Sequence, residues 1–277
     1  MPTFATPNPI AAIVEVAGAR VRVTASDRTD ASVVVAPIDA ANRKDVKVAE
    51  KTSVDFANGR LSVKTTASGD KSGSVAITID LPAGSSLRAY LAHSDVHAAG
   101  SLGGCEVHMA SGRVQLDRVE TLRANVASGE VAVDRITGGA DIDGGAFTMR
   151  IGSVGQTVKF SNSGGQAWIG HAAGDLELSS ASCDFDIDRA DGNVTAGTAS
   201  GAIRIGRMTN GHANLTNGSG TIEVGISEGA TADVDVRSER ASVRDSVSGQ
   251  SDPSPSDGKV SVHARTRHGD IVIRRAV

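Results

Sequence analysis

A small residue followed by apolar residues two and four places later recurs along most of this chain at nearly constant spacing. The position held by Gly201 defines a slot, which is filled in turn by Ser94, Gly112, Gly129, Phe147, Gly165, Cys183, Gly201 and Gly220, each 17 to 19 residues after the last. The apolar followers are Val96/Ala98, Val114/Leu116, Val131/Val133, Met149/Ile151, Ala167/Ile169, Phe185/Ile187, Ile203/Ile205 and Ile222/Val224. Residues two apart share one face of a strand and cannot share one face of a helix. Five places past the slot, from Gly112 onward, stand Asp117, Asp134, Gly152, Gly170, Asp188, Gly206 and Gly225, residue types that tolerate tight turns. A second alternating set follows, among it Leu122/Ala124/Val126, Val158/Phe160, Leu176/Leu178, Val194/Ala196 and Ala213/Leu215. Each repeat therefore reads strand, turn, strand, turn.

Strands joined by hairpins in a sandwich have no reason to hold one register through so many intervals. A parallel β-solenoid does, because each coil of about 18 residues completes the core of the coil beneath it at a spacing of about 4.8 Å. The expected fold is all-β, β-helix-like or β-roll-like, with apolar columns running down the interior. Composition agrees: aromatic residues make up 3% of the chain and Gly is frequent, so the core must be narrow and built from Val, Ile, Leu and Ala.

The first 85 residues carry weaker forms of the pattern, "GARVRVTA", "NGRLSVKT" and "GSVAITIDLPAGSSLRA". Between them "DAANRKDVKVAEKT" predicts one short helix. Residues 1–85 are read as a strand-rich segment that begins and caps the stack, and 86–277 as the solenoid repeats. A loop is expected over 246–259, where "DSVSGQSDPSPSDGK" breaks the pattern, and a closing coil over 260–277. The whole is expected to form one continuous structural unit. Arg265, Arg267, His268, Arg274 and Arg275 are read as charges guarding a closing edge strand.

The run "IDLPAGSSLRA" followed by serial "ASGRVQL", "ASGEVAV", "TASGAIRI", "NGSGTIEV" and "RHGDIVI" resembles a widespread bacterial family of β-strand-repeat domains, from about Ile13 to Val277. Members are described as "putative adhesin" domains of unknown function, and the likeness is closest to actinobacterial members without a signal peptide. The resemblance implies a β-solenoid and no established activity. Phe147 and Cys183 occupy slots that the family usually fills with Gly.

Between the two buried residues of the first strand, successive repeats offer Arg150, Trp168, Asp186, Arg204 and Glu223 to solvent. Stacked side by side, they form either a surface binding strip for sugar or peptide centred on Trp168, or a charge ladder that pins coil register. Asp184, Asp186 and Asp188 share an outer face, but the run departs from a calcium loop, with Arg189 where the sixth-position Gly belongs. The seven histidines are scattered, and no H-E-x-x-H, C-x-x-C or P-loop occurs. Ser111, Ser128 and Ser200 read as turn residues, and Cys105 and Cys183, about four coils apart, as packed small residues rather than a disulfide.

These readings point to a non-enzymatic structural or interaction module without cofactor or metal. The expected partner is a protein or a polysaccharide, the module being a monomer or weakly self-associating. A net charge of −4 argues against nucleic acid, and no apolar run reaches the length of a membrane span. The N-terminus lacks a signal-peptide pattern, so the expected location is cytoplasmic. The alternatives are a carbohydrate-binding or carbohydrate-active β-helix, recognisable by carboxylates gathered in one cleft, and a self-polymerising cytoskeletal solenoid, recognisable by uncapped coil ends.

Overall fold

The structure, a computed structural model, describes residues 2–65, 73–247 and 258–276. It is a parallel β-solenoid capped by an N-terminal strand segment with one short helix, and it divides into two compact units, Met1–Ile136 and Thr137–Val277.

The first unit contains β1 (Thr3–Ala5), β2 (Ala11–Ala17), β3 (Ala19–Ser26), β4 (Asp30–Pro37), α1 (Arg43–Lys51), β5 (Ser53–Ala57), β6 (Arg60–Lys64), β7 (Val75–Pro82) and β8 (Ser86–Ile136), which winds through successive coils. Chain order is not layer order. The coil made by β2 and β3 lies between two others: Ala12 and Val21 pair in parallel with Leu87 and Val96 of β8 on one side, and with Leu61 and Ile77 of β6 and β7 on the other. The outer layer is then closed by reversal of the chain, β4 running antiparallel to β7 and β5 antiparallel to β6. Helix α1 joins the two capping strands. Asn42 caps it by accepting from Lys44 N at 3.0 Å, and buried Asp45 ties it down by accepting from Asp39 N and Ser74 N.

The second unit contains β9 (Ala140–Val154), β10 (Val158–Ala172), β11 (Leu176–Ala190), β12 (Val194–Ser200), β13 (Ile203–Met208), β14 (Gly211–Ser219), β15 (Ile222–Ser227), β16 (Thr231–Ser238), β17 (Val243–Asp245), β18 (Lys259–His268) and β19 (Ile271–Ala276). All its pairings are parallel. Met149, Ala167, Phe185, Ile203, Ile222 and Ile271 stack as one column, and Val158, Leu176, Val194, Ala213 and Val262 as another. Both columns are buried along their length. A third column that the two-strand reading of the repeat did not contain runs through Val154, Ala172, Ala190, Met208 and Ile226.

The slot has a steric cause. At Gly201 the backbone takes φ +142°, and a Cβ there would lie 2.2 Å from Cys183 O in the preceding coil; at Gly112 φ is +137° and Ser94 O would lie 1.9 Å away. No side chain fits between coils so closely apposed. Ser94, Phe147 and Cys183 hold the same station without a left-handed backbone, and their side chains turn into the interior.

The C-terminal coil is not an edge. Strands β18 and β19 are paired on both sides, with β14 and β15 inward and β16 and β17 outward, so the outermost layer is the one built from 231–245. The arginines read as edge guards instead bind neighbouring coils. Arg265 reaches Asp235 at 2.6 Å in the outer layer, while Arg274 reaches Glu223 at 2.8 Å and Arg275 donates to Ser227 O and Ala230 O in the inner one. Of the predicted loop 246–259, residues 248–257 lie outside the described residues.

Candidate functional site

The outward face of β9, β10, β11, β13 and β15 carries the strip that the repeat spacing points to. Register places Arg150 beside Trp168, Trp168 beside Asp186, Asp186 beside Arg204 and Arg204 beside Glu223. The indole leans along its strand into the space above Gly170: a Cβ on that glycine would come within 3.0 Å of Trp168 Cη2. Glycine at 170 therefore lets a large flat ring lie along the sheet. Arg204 Nη1 donates to Asp186 Oδ1 at 2.6 Å, and the carboxylate beside it pushes the guanidinium pKa up. Glu223 is taken from the other side by Arg274. The strip is thus an alternating charge ladder in which one aromatic ring sits next to a cation and an anion.

Of the three aspartates following Cys183, two are tied to the next coil. Asp184 Oδ1 accepts from Ala202 N at 2.8 Å in the next coil, and Asp186 holds Arg204. Among the described residues no group of three or more His, Cys, Asp or Glu side chains is placed to hold a metal ion. Several histidines serve contacts between or within coils. His171 Nε2 lies 2.7 Å from Asp191, His263 Nδ1 3.0 Å from Asp235, and His93 Nδ1 2.7 Å from Ser111 Oγ at a corner where His93 itself takes φ +49°. Asp191 also accepts from Arg189 and Thr209. Burial pushes its carboxyl up, but these hydrogen bonds outweigh burial and hold it well below the usual carboxylate range.

Two further clusters escape a reading of the sequence by strand pattern. In the first unit Tyr90 stacks on His108 of the next coil, with centroids 4.9 Å apart and planes 5° from parallel. Glu106 bridges that histidine and Arg88 at 2.8 and 2.6 Å, and both contacts lower its pKa. The available signal is that Tyr90 and His108 stand one repeat apart. In the second unit a corner three residues before the slot is lined by Asn162, Ser180, Thr198, Asn217 and Thr266, in register from coil to coil. Asn162, Thr198, Asn217 and Thr266 are buried there, and three of them serve backbone groups. Asn217 Nδ2 donates to Gly201 O and Gly220 O, Asn162 Nδ2 to Gly164 O, and Thr198 Oγ1 to Ser200 O. The corresponding stations of the first unit, Leu91, Met109 and Val126, are apolar and buried.

Both cysteines are free and buried. Burial pushes the Cys105 thiol up to about 12 and the Cys183 thiol up to about 11, so at neutral pH neither supplies the thiolate that nucleophilic chemistry or metal binding requires. No helix among the described residues is long and apolar enough to cross a membrane.

The chain is similar to several solved structures. A protein described as a "putative adhesin" from Parabacteroides distasonis ATCC 8503 is 12% identical, with 98% of this chain and 95% of that one covered and a TM-score of 0.42. A second from Parabacteroides merdae ATCC 43184, described in the same words, is 13% identical, with 99% and 94% covered and a TM-score of 0.37. No curated protein matches the chain. A family model does: residues 12–274, which take in almost every coil, match Toastrack DUF4097, and the chain belongs to that family.

Proposed function

We propose that this protein is a non-enzymatic β-solenoid module that binds another macromolecule through the outward side face of its coils. The contact surface is the strip Arg150, Trp168, Asp186, Arg204 and Glu223. One observation carries the reading: the only tryptophan of the chain lies along the sheet over Gly170, between neighbours of opposite charge. An indole held in that way offers a broad apolar platform with polar groups at its border, which suits the alternating apolar and hydroxylated surface of a polysaccharide better than a folded protein. The carboxylates nearby support binding rather than acid–base chemistry, since Asp184 and Asp186 are spent on the next coil.

Because Trp168 is unique, its fluorescence reports the site directly. Titration with a panel of oligosaccharides, acidic and neutral, should shift or quench the emission for at least one class, and Trp168→Ala should abolish binding of that sugar measured by calorimetry while leaving the circular dichroism unchanged. A panel that leaves the emission untouched, or a Trp168→Ala protein that binds as tightly as the parent, ends the proposal. A response to extended peptides instead would reassign the strip to protein partners.

A further inference from the structure

The two units finish their outer layers differently. In the first, the outermost coil of β6 and β7 is covered by β4 and β5, which run antiparallel to it; β5 is five residues long, and β1, three residues long, pairs in turn with the start of β4. Short rim strands are a usual way of blunting a sheet edge. In the second unit the outermost coil is β16 and β17, and among the described residues no strand pairs with its far side. Its column side chains show the consequence. Ala232, Val234 and Val236 continue the columns of Val260, Val262 and Ala264, which are fully buried, yet all three are half-buried, and Val243 is 43% exposed.

Hydrogen-bond parity adds a direction. Thr231 N and Glu239 N donate to Gly258 O and Thr266 O in the adjacent layer. Residues of that parity along β16 turn their amides inward, so Ala232, Val234 and Val236 direct theirs outward to the open edge. The outward-facing side chains of the same strand alternate as Asp233, Asp235 and Arg237.

We propose that this edge is a dimerisation surface on which β16 of a second copy of the chain pairs antiparallel about a two-fold axis at Val236. That register sets Val236 against its own copy, uses the outward amides of Val234 and Val236, and brings Asp235 opposite Arg237 of the other copy twice. It gives the second unit what the first builds from its own chain, an antiparallel strand over the last parallel coil. A two-fold contact closes on itself, so assembly stops at two copies and no filament forms. The inference is independent of the strip at Trp168, which lies on the side of the coils rather than on their rim.

Sedimentation or light scattering of the full chain at rising concentration should give a mass that doubles and then stays level. Val236→Pro removes an amide that points only to the edge, so it should return the protein to a monomer with unaltered far-UV dichroism. Arg237→Asp, which leaves every backbone donor in place, should weaken the dimer at least tenfold, and more so at low salt. A parent protein that stays monomeric at every concentration overturns the proposal, as does a mass that keeps growing. So does a dimer that survives both substitutions unchanged.

Discussion

Asp191 shows how much a single polar residue does in a wall this thin. It lies at a corner between coils and gathers His171, Arg189 and Thr209 from three successive layers within 2.9 Å. Its carboxyl titrates below its unfolded value, so the stabilisation it gives is complete above the ordinary aspartate pKa of about 3.9 and is lost as pH falls through the folded value. Asp191→Asn should lower unfolding stability by about 1–2 kcal/mol at pH 7. Urea denaturation repeated at decreasing pH should show the gap between parent and variant closing below about pH 4, where protons bind the carboxylate of the unfolded parent more readily than that of the folded one. A gap that is constant with pH would mean that shape, not charge, holds the corner.

Strands are where the sequence speaks most clearly. Ile203 stands mid-column, fully buried between Phe185 and Ile222. Ile203→Asp should cost more than about 4 kcal/mol and leave the second unit unfolded, read as loss of the Trp168 emission of the native state. The period-two pattern made such positions legible, as it did the outward strip, because side-chain alternation is dictated by the backbone alone. What it hid is equally instructive. The third column of Val154, Ala172 and Met208 sits past the Gly or Asp station, where the repeat pattern implies a turn but the strand runs on through a bend. The ladder of Asn162, Thr198 and Asn217 reads as polar and hence external, yet it is buried because a bend leaves carbonyls such as Gly201 O and Gly220 O in need of donors. The edge position expected of the final strand failed for another reason: pairing partners within a stack are set by geometry that local pattern does not record.

On the scale of the whole chain, the coil is the unit of insertion and loss. Leu176 is stacked on Val194, and Ala167, Phe185 and Ile203 follow one another in register. Removing residues 176–193 takes out one turn of the stack and leaves Val158 facing Val194 and the Gly165 corner under that of Gly201. This deletion should fold cooperatively, with somewhat lower stability, whereas removing 176–184 should not, since an odd number of residues turns each following side chain to the wrong face. Dichroism and urea unfolding of the two variants would distinguish them; equal behaviour would contradict the stacked-coil description.

The layer formed by 259–276 is wedged between those formed by 211–227 and 231–245. During translation the outer of these layers leaves the ribosome before the platform on which it must rest. Residues 231–245 therefore wait, unsupported, until the strand that separates them from the rest has been made. These later-made strands act as a keystone: release of the nascent chain before they emerge would strip two layers from the stack rather than one.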